Sequence, residues 1–334
     1  MLTVCRICNN TAANKDYLVR EMHIGTREEF AYFECSQCGC LQITEVPDDL
    51  SKYYPNDYYS YRASGPTVAY GKPGMGGFKI RLIVKILTRH YFQEKSFVGD
   101  WVARQSSVSG DYPCWVRRKK LDLHLSADSV ILDVGCGTGK LLLDLHEQGF
   151  ANLTGVDPFV KSDLVYESGV RVLKRPLDEV TGQFDFIMLH HSFEHMPDQL
   201  PTLRKLYELI KPGAYVLLRI PVAGSYAWRE YGVNWVALDA PRHLFLHTNK
   251  SIEILASQAG FEVAEIGHDS DGLAHYGSEL YRRDIPLMDE RSPFQNPNQQ
   301  QTFTSDEMAG FVELDAKLND TGEADCAAFY LYKR

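Results

Sequence analysis

The chain has 334 residues, enough for about two domains, and its 44% hydrophobic and 24% charged content excludes a disordered or fibrous protein. Thirty-five Lys and Arg against 44 Asp and Glu leave a net charge of −9, which argues against a long nucleic acid as partner. No apolar run reaches the roughly 18–20 residues of a membrane-spanning helix, since Arg219 and Pro221 break the best of them, and the first residues lack the basic and apolar regions of a signal peptide, so a cytoplasmic location is expected.

Five of the eight cysteines fall in the first 40 residues, as Cys5-x2-Cys8, Cys35-x2-Cys38 and Cys40. In a reducing compartment, paired C-x2-C units point to a tetrahedral thiolate site rather than to disulfides, free thiols or a redox dithiol. Each unit brings two sulfurs to one ion from a tight turn, and Asn9 and Gly39 suit the left-handed backbone such a turn needs. The 26 intervening residues are expected to form a small hairpin. A unit of about 45 residues cannot bury enough core to fold unaided, and four protein ligands leave no open position. Cys5, Cys8, Cys35 and Cys38 are therefore expected to hold a structural Zn2+ in an N-terminal domain over 1–45.

Residues 46–111 are expected to form an aromatic and helical connector. Tyr53, Tyr54, Tyr58, Tyr59 and Tyr61 crowd a turn-rich stretch and serve either to join two domains or to stack on a sugar or base. A flexible turn, GKPGMGG (71–77), leads into a basic amphipathic helix over Phe78–Phe92 with the apolar stripe Ile80, Ile83, Val84 and Leu87. Such a helix lies on an anionic membrane, covers a site or is an ordinary surface helix. A second helix is expected over Trp115–Leu125.

From Ser129 the pattern alternates between strand and helix. Val130–Val134 reads as a buried strand, followed by Gly135-Cys136-Gly137-Thr138-Gly139 and a helix from Lys140 to about Gln148, the opening unit of a nucleotide-binding sheet. A phosphate loop would need glycine at Val134 and Ser or Thr at Leu141, and a dinucleotide fingerprint would need glycine at Lys140. Asp133, a carboxylate just before the loop, suits a cationic ligand bearing an amino group and a sulfonium, which favours S-adenosylmethionine. Further strands are expected at 153–157, 170–173, 184–189, 214–220, 261–267 and 327–332, with a helix over 200–210 and another over 250–258 between Thr248 and Gly260. Asp157 ends the second strand, where a carboxylate accepts both ribose hydroxyls.

DVGCGTG (133–139), GVDP (155–158), FDFIMLHHSFEHMPD (184–198) and KPGAYVLLRIP (211–221) together resemble the successive motifs of class I S-adenosylmethionine-dependent methyltransferases, over roughly residues 112–334. The resemblance implies an α/β, Rossmann-like sheet of seven strands with the last antiparallel, and an insertion near 272–325 before that strand. It places Asp133, Gly135, Gly137, Gly139, Asp157, Pro158, Asp178 and His190 at the cofactor, the contact after the third strand being made either by the Asp178 carboxylate or by the backbone of Leu177. The cysteine head and DAPRHLFLHT (239–248) are similar to bacterial methyltransferases acting on sugars or polysaccharide precursors. Nucleotide-sugar C-methyltransferases have the nearest layout, but they carry a large C-terminal domain absent here.

An alcohol acceptor must lose its proton near the transition state, and histidine suits that at neutral pH. His191, His195 and His243 are the candidate bases, the first two in the crevice beyond the fourth strand. Glu194 beside His195 marks either a base pair or a structural one, and Arg242 either clamps an anionic acceptor or anchors a loop. The sequence thus predicts a methyltransferase acting on a small polar acceptor, foremost a hydroxyl of a nucleotide sugar or surface glycan. The alternatives are sugar C-methylation, RNA or protein methylation with the head as a docking module, and a scaffold without activity. No nucleic-acid partner is expected, and the oligomeric state is open.

Overall fold

Runs of branched and aromatic apolar residues form the strands at the centre of the molecule, buried on both faces as parallel strands require. A computed structural model describes residues 3–54, 75–296 and 302–334. In chain order the strands are β1 (Lys15–Arg20), β2 (Glu29–Glu34), β3 (Leu41–Ile43), β4 (Val130–Val134), β5 (Asn152–Val156), β6 (Leu164–Val165), β7 (Arg171–Leu173), β8 (Phe184–His190), β9 (Ile210–Pro221), β10 (Phe245–Leu246), β11 (Glu262–His268) and β12 (Cys326–Tyr332). The helices are α1 (Met75–Thr88), α2 (Phe97–Gln105), α3 (Cys114–Arg118), α4 (Lys140–Glu147), α5 (Gln199–Leu209), α6 (Tyr226–Tyr231), α7 (Asn249–Ala259), α8 (Leu273–Arg282) and α9 (Ser305–Thr321).

The large sheet has the order β11-β12-β9-β8-β4-β5-β7-β6. β9, β8, β4, β5 and β7 run parallel, and β12 lies antiparallel between β9 and β11. This is the expected Rossmann-like α/β sheet with one strand more than the seven expected. The extra strand arises because the turn Tyr166–Val170, closed by Tyr166 N–H to Val170 O at 3.0 Å, folds β6 back onto β7. The chain winds outward from β4 in both directions, so the crevice at the carboxyl ends of β4, β5 and β8 is the switch point where open sheets bind ligands.

The hairpin expected between the cysteine pairs is β1–β2, paired from Lys15↔Glu34 to Arg20↔Glu29. β3 extends it, and the fourth strand of this small sheet is β10, which arrives from beyond β9 and pairs Leu246 with Leu41. Cys5, Cys35, Cys38, Tyr32 and Leu41 share one continuous core with Leu132, Ile187, Leu218 and Trp235, so the head and the large sheet are buried together.

The helix after Thr248 forms as expected, with a reciprocal cap between Thr248 and Ser251 and left-handed Gly260 at its end. The helix expected over Phe78–Phe92 is α1 with the following wider turn Arg89–Gln93, and Val84 and Leu87 of its stripe are buried. Helix over Trp115–Leu125 is not found beyond Arg118. Apolar residues at 121, 123 and 125 have the period of extended backbone, and that segment runs extended into β4. The stretch 272–325 holds α8 and α9. Tyr58, Tyr59, Tyr61 and Gly71–Gly74 lie outside the described residues, as do 297–301 of the glutamine-rich stretch.

Candidate functional site

The glycine loop turns sharply between β4 and α4. Gly135, Gly137 and Gly139 all take positive φ, at 76°, 53° and 81°. A Cβ on Gly135 would come within 2.4 Å of the Ser192 side chain, and one on Gly139 within 2.6 Å of Val172, so both conformation and space demand glycine there. Ser192 Oγ donates to Val134 O at 2.8 Å, tying the loop to the end of β8.

Asp157 braces the loop from the neighbouring strand end. Its carboxylate accepts from Gly137 N–H at 2.9 Å and from Phe159 N–H at 2.8 Å. Asp133, at the end of β4, is buried, and that burial, followed by the negative charge of Asp157, pushes its carboxyl up to about 8. Burial raises Asp157 as well, against the two backbone donors. Two buried carboxyls beside a glycine cradle form an acidic floor whose charge a cationic ligand would relieve. Pro158 follows Asp157 at the surface, and Asp178 is exposed in the single turn Leu177–Glu179 beyond β7. His190, at the end of β8, lies 5.2 Å from the Trp115 ring, and its buried Nε2 has no hydrogen-bond partner among the described residues. Desolvation, then Arg219 and His191, drives its imidazole well below the ordinary histidine range.

Beyond β8 the three candidate bases converge on one side chain. Glu194 is wholly buried, and among the described residues neither carboxylate oxygen accepts a hydrogen bond of good geometry. His191 Nδ1 stands 3.5 Å and His243 Nε2 3.9 Å from its Oε1, and the rings of His195 and His243 meet edge to face at 4.7 Å. Burial would raise Glu194, but His191, His195 and His243 hold it down at about 2. Glu194 was legible only as a neighbour of His195, since three histidines from two distant segments surround it only in the fold. His191 has φ 49° and is half-exposed, and its Nε2 contacts the Arg219 guanidinium, whose Nε grips both oxygens of Asp269.

The loop carrying His243 rests on the N-terminal head. Arg242 is fully buried: Nε donates to Asp239, one terminal nitrogen to Tyr53 O at 3.0 Å, and the other to Asp239 and to Glu21 at 3.3 Å. It therefore anchors a loop and does not clamp an acceptor. Glu21, also buried, accepts the N–H groups of Ile24, Gly25 and Thr26. Tyr32 OH donates to His243 O at 2.8 Å, and Thr248 Oγ1 to Cys38 O at 2.6 Å. His247 is a buried structural residue, held between Ser251 Oγ and Gln199 Oε1.

The four expected zinc ligands do meet. Cys5 Sγ lies 3.6 Å from Cys38 Sγ and Cys8 Sγ 3.5 Å from Cys35 Sγ, with all four sulfurs within 4.8 Å of one another. Zinc–sulfur bonds of about 2.3 Å in a tetrahedron would set sulfurs about 3.8 Å apart, so the cluster fits the ion. Asn9 and Gly39 take φ 60° and 73°, and their N–H groups return to Cys5 O and Cys35 O, as tight metal turns require. Gln42 Nε2 and Ile7 N–H point at Cys5 Sγ, and the Cys38 thiol with these donors draws Cys5 toward the thiolate while Cys38 is held protonated in its place. Cys40 is buried outside the cluster, beside His247 Nδ1 at 3.9 Å.

A family model described as a methyltransferase domain matches residues 111–266. The ubiquinone biosynthesis O-methyltransferase of Bordetella avium is 36% identical over 151 residues, 40% of this chain and 61% of that protein. The enzyme of the same name from Pseudomonas aeruginosa strain UCBPP-PA14 is 34% identical over 159 residues, 42% of this chain and 67% of that one. The chain thus spans less than two thirds of the first relative's length. Among solved structures, the cyclopropane synthase MmaA2 from Mycobacterium tuberculosis matches over 75% of this chain and 93% of its own, at 16% identity and a TM-score of 0.41.

Proposed function

The chain belongs to the S-adenosylmethionine-dependent methyltransferases, and from that premise we propose that it transfers the methyl group to a hydroxyl oxygen of a small acceptor bound over Glu194. The observation that carries the reading is the shared carboxyl edge: the glycine cradle with Asp133 and Asp157 at β4 and β5 adjoins the cluster of Glu194, His191, His195 and His243 beyond β8. A carboxylate has about four lone-pair sites. The two backbone donors on Asp157 leave room for ribose hydroxyls, and Asp133 would balance the cationic methionine end. Pro158, Asp178 and His190 belong to the same reading as its outer contacts.

Methyl transfer needs the acceptor atom in line with the S–CH3 bond at about 3 Å, and a route for its proton. The histidines around Glu194 supply that route, and the buried carboxylate would stabilise the imidazolium formed. The O-methyltransferase names of the relatives support oxygen as the methylated atom. The sugar or glycan acceptor has no counterpart in those names, which refer to ubiquinone biosynthesis, so the acceptor class reads as a hydroxyl without further restriction. The zinc head reads as a structural support for the acceptor wall, through Arg242, Glu21 and Tyr32.

The experiment is calorimetry with S-adenosylhomocysteine, followed by transfer of labelled methyl to catechols and to nucleotide sugars in parallel. Binding with transfer to either class supports the reading. Absence of cofactor binding by the wild-type protein sinks it.

A further inference from the structure

We propose that Glu194, His195 and His243 form a second metal site, distinct from the four-cysteine cluster, which holds one divalent cation with coordination positions open toward the acceptor. One ligand atom from each of the three residues lies within 4.8 Å of the others. The backbone carbonyls around the two histidines determine which nitrogen is available. His195 Nδ1 lies 2.9 Å from Arg242 O, and His243 Nδ1 lies 2.6 Å from Ala237 O. A carbonyl oxygen only accepts, so Nδ1 carries the proton in both rings and Nε2 is left with its lone pair. A histidine held through Nδ1–H by a carbonyl is the usual second sphere of a metal-binding imidazole.

Glu194 completes the set. Its carboxylate is fully buried, yet among the described residues neither oxygen accepts a hydrogen bond of good geometry, the nearest donor being His191 Nδ1 at 3.5 Å, although buried carboxylates are otherwise paired. With Nδ1 carrying its proton, the His243 Nε2 that faces Glu194 Oε1 at 3.9 Å presents a lone pair and gives the carboxylate no hydrogen bond. A cation between them would be ligated by both. Metal–nitrogen and metal–oxygen bonds of about 2.1 Å would bring the ligand atoms to about 3.0–3.4 Å apart, a closure of under about 1 Å for His243 and Glu194, now at 3.9 Å, and of at most about 1.8 Å for any pair in the set. The loop that must hold His243 in place is already rigid, because Arg242 is tied to Asp239, Glu21 and the Tyr53 carbonyl.

The two clusters differ in chemistry. Four thiolates close the zinc site, whereas two imidazoles and one carboxylate leave positions open for water or an acceptor hydroxyl. His243 and His195 keep part of their surface accessible, so the ion would have a solvent side. An ion there would act as a Lewis acid, holding the acceptor oxygen and lowering its pKa so that its proton leaves to water or to His191, the histidine outside the coordination set, before methyl transfer. This role rests on the methyltransferase reading, but the binding of the ion does not.

The test uses the full chain with its zinc retained, titrated with Mn2+ and followed by loss of the free-ion electron paramagnetic resonance signal. Mn2+ competes poorly for thiolates and therefore reports the nitrogen and oxygen site. One Mn2+ bound per chain is expected beyond the zinc, with affinity at least tenfold lower in Glu194→Gln and in His243→Ala. Zinc content and S-adenosylhomocysteine affinity, measured on the same samples, should be unchanged. Wild-type protein that binds S-adenosylhomocysteine but no Mn2+, or a Glu194→Gln variant that binds Mn2+ as tightly as wild type, overturns the proposal. Should Glu194→Gln fail to fold, His195→Gln and the wild-type titration decide it.

Discussion

The two halves of the site are built in opposite ways. On the proposed cofactor side, Asp133, the three glycines and Asp157 lie within 25 residues of one another, at the ends of two neighbouring strands and in the loop after the first. On the proposed acceptor side, His195 and His243 come from segments 48 residues apart, and the loop beneath His243 is bolted to Glu21 and Tyr32 from the N-terminal head. The cofactor half can be assembled from local strand–turn–helix geometry. The acceptor half depends on a small sheet whose fourth strand is donated by the catalytic domain.

Removing the proposed zinc ion should have the largest effect and should act unevenly on the two halves. Structural zinc supplies roughly 10–16 kcal/mol in small zinc-folded units. Cys35→Ser is expected to lose the ion, lower the melting temperature steeply and abolish methyl transfer. Cofactor affinity, read by calorimetry below the new melting point, should fall less than activity. Equal loss of both would erase the distinction between the halves.

Arg242→Ala probes the bolt directly. It leaves Glu21 and Asp239 buried without their shared cation, a change that costs about 3–5 kcal/mol in such pairs, and chemical denaturation should show a loss of that order. A surface-like effect below about 0.5 kcal/mol would contradict the buried network.

The cofactor side has its own test in Asp157→Ala. Hydrogen bonds to a charged group are worth about 1.5–3 kcal/mol each, so S-adenosylhomocysteine binding should weaken about 10–100-fold with the small sheet intact by zinc content. Retained wild-type affinity would remove Asp157 from the cofactor site.

The smallest effect is on protons. Asp133 has its folded pKa raised to about 8, mainly by burial. The stability linked to its protonated form is complete below the unfolded value near 4 and is lost as pH rises through about 8. At pH 7 the free protein therefore holds this proton, and a cationic cofactor that favours the carboxylate must expel it. Calorimetry of S-adenosylmethionine in buffers of different ionisation heat should show proton release at pH 7, with affinity rising from pH 6 to 8. No proton release would mean that Asp133 is not next to the positive charge.

The same contrast explains what could be read in advance. The period-two alternation at 121–125 was available in the sequence but was masked by four consecutive basic residues that suit a helix, Arg117–Lys120. The capped helix after Thr248 and the metal turns at Asn9 and Gly39 were legible because each needs only a few neighbouring residues. Arg242 was not, since a buried anchor and an exposed clamp have the same local sequence. Its partners Glu21 and Tyr53 lie about 190 or more residues away.

By itself, then, the sequence determined the α/β class, the glycine cradle with its two acids, and the four thiols that gather at one point. These follow from backbone conformation and short-range spacing, which local residue types dictate. Only the tertiary structure decided that the head shares a sheet with the catalytic domain, that Arg242 is structural, and that Glu194 sits buried among three histidines. Burial and long-range pairing are properties of the assembled chain, and they set the charge and the partner of each of these groups.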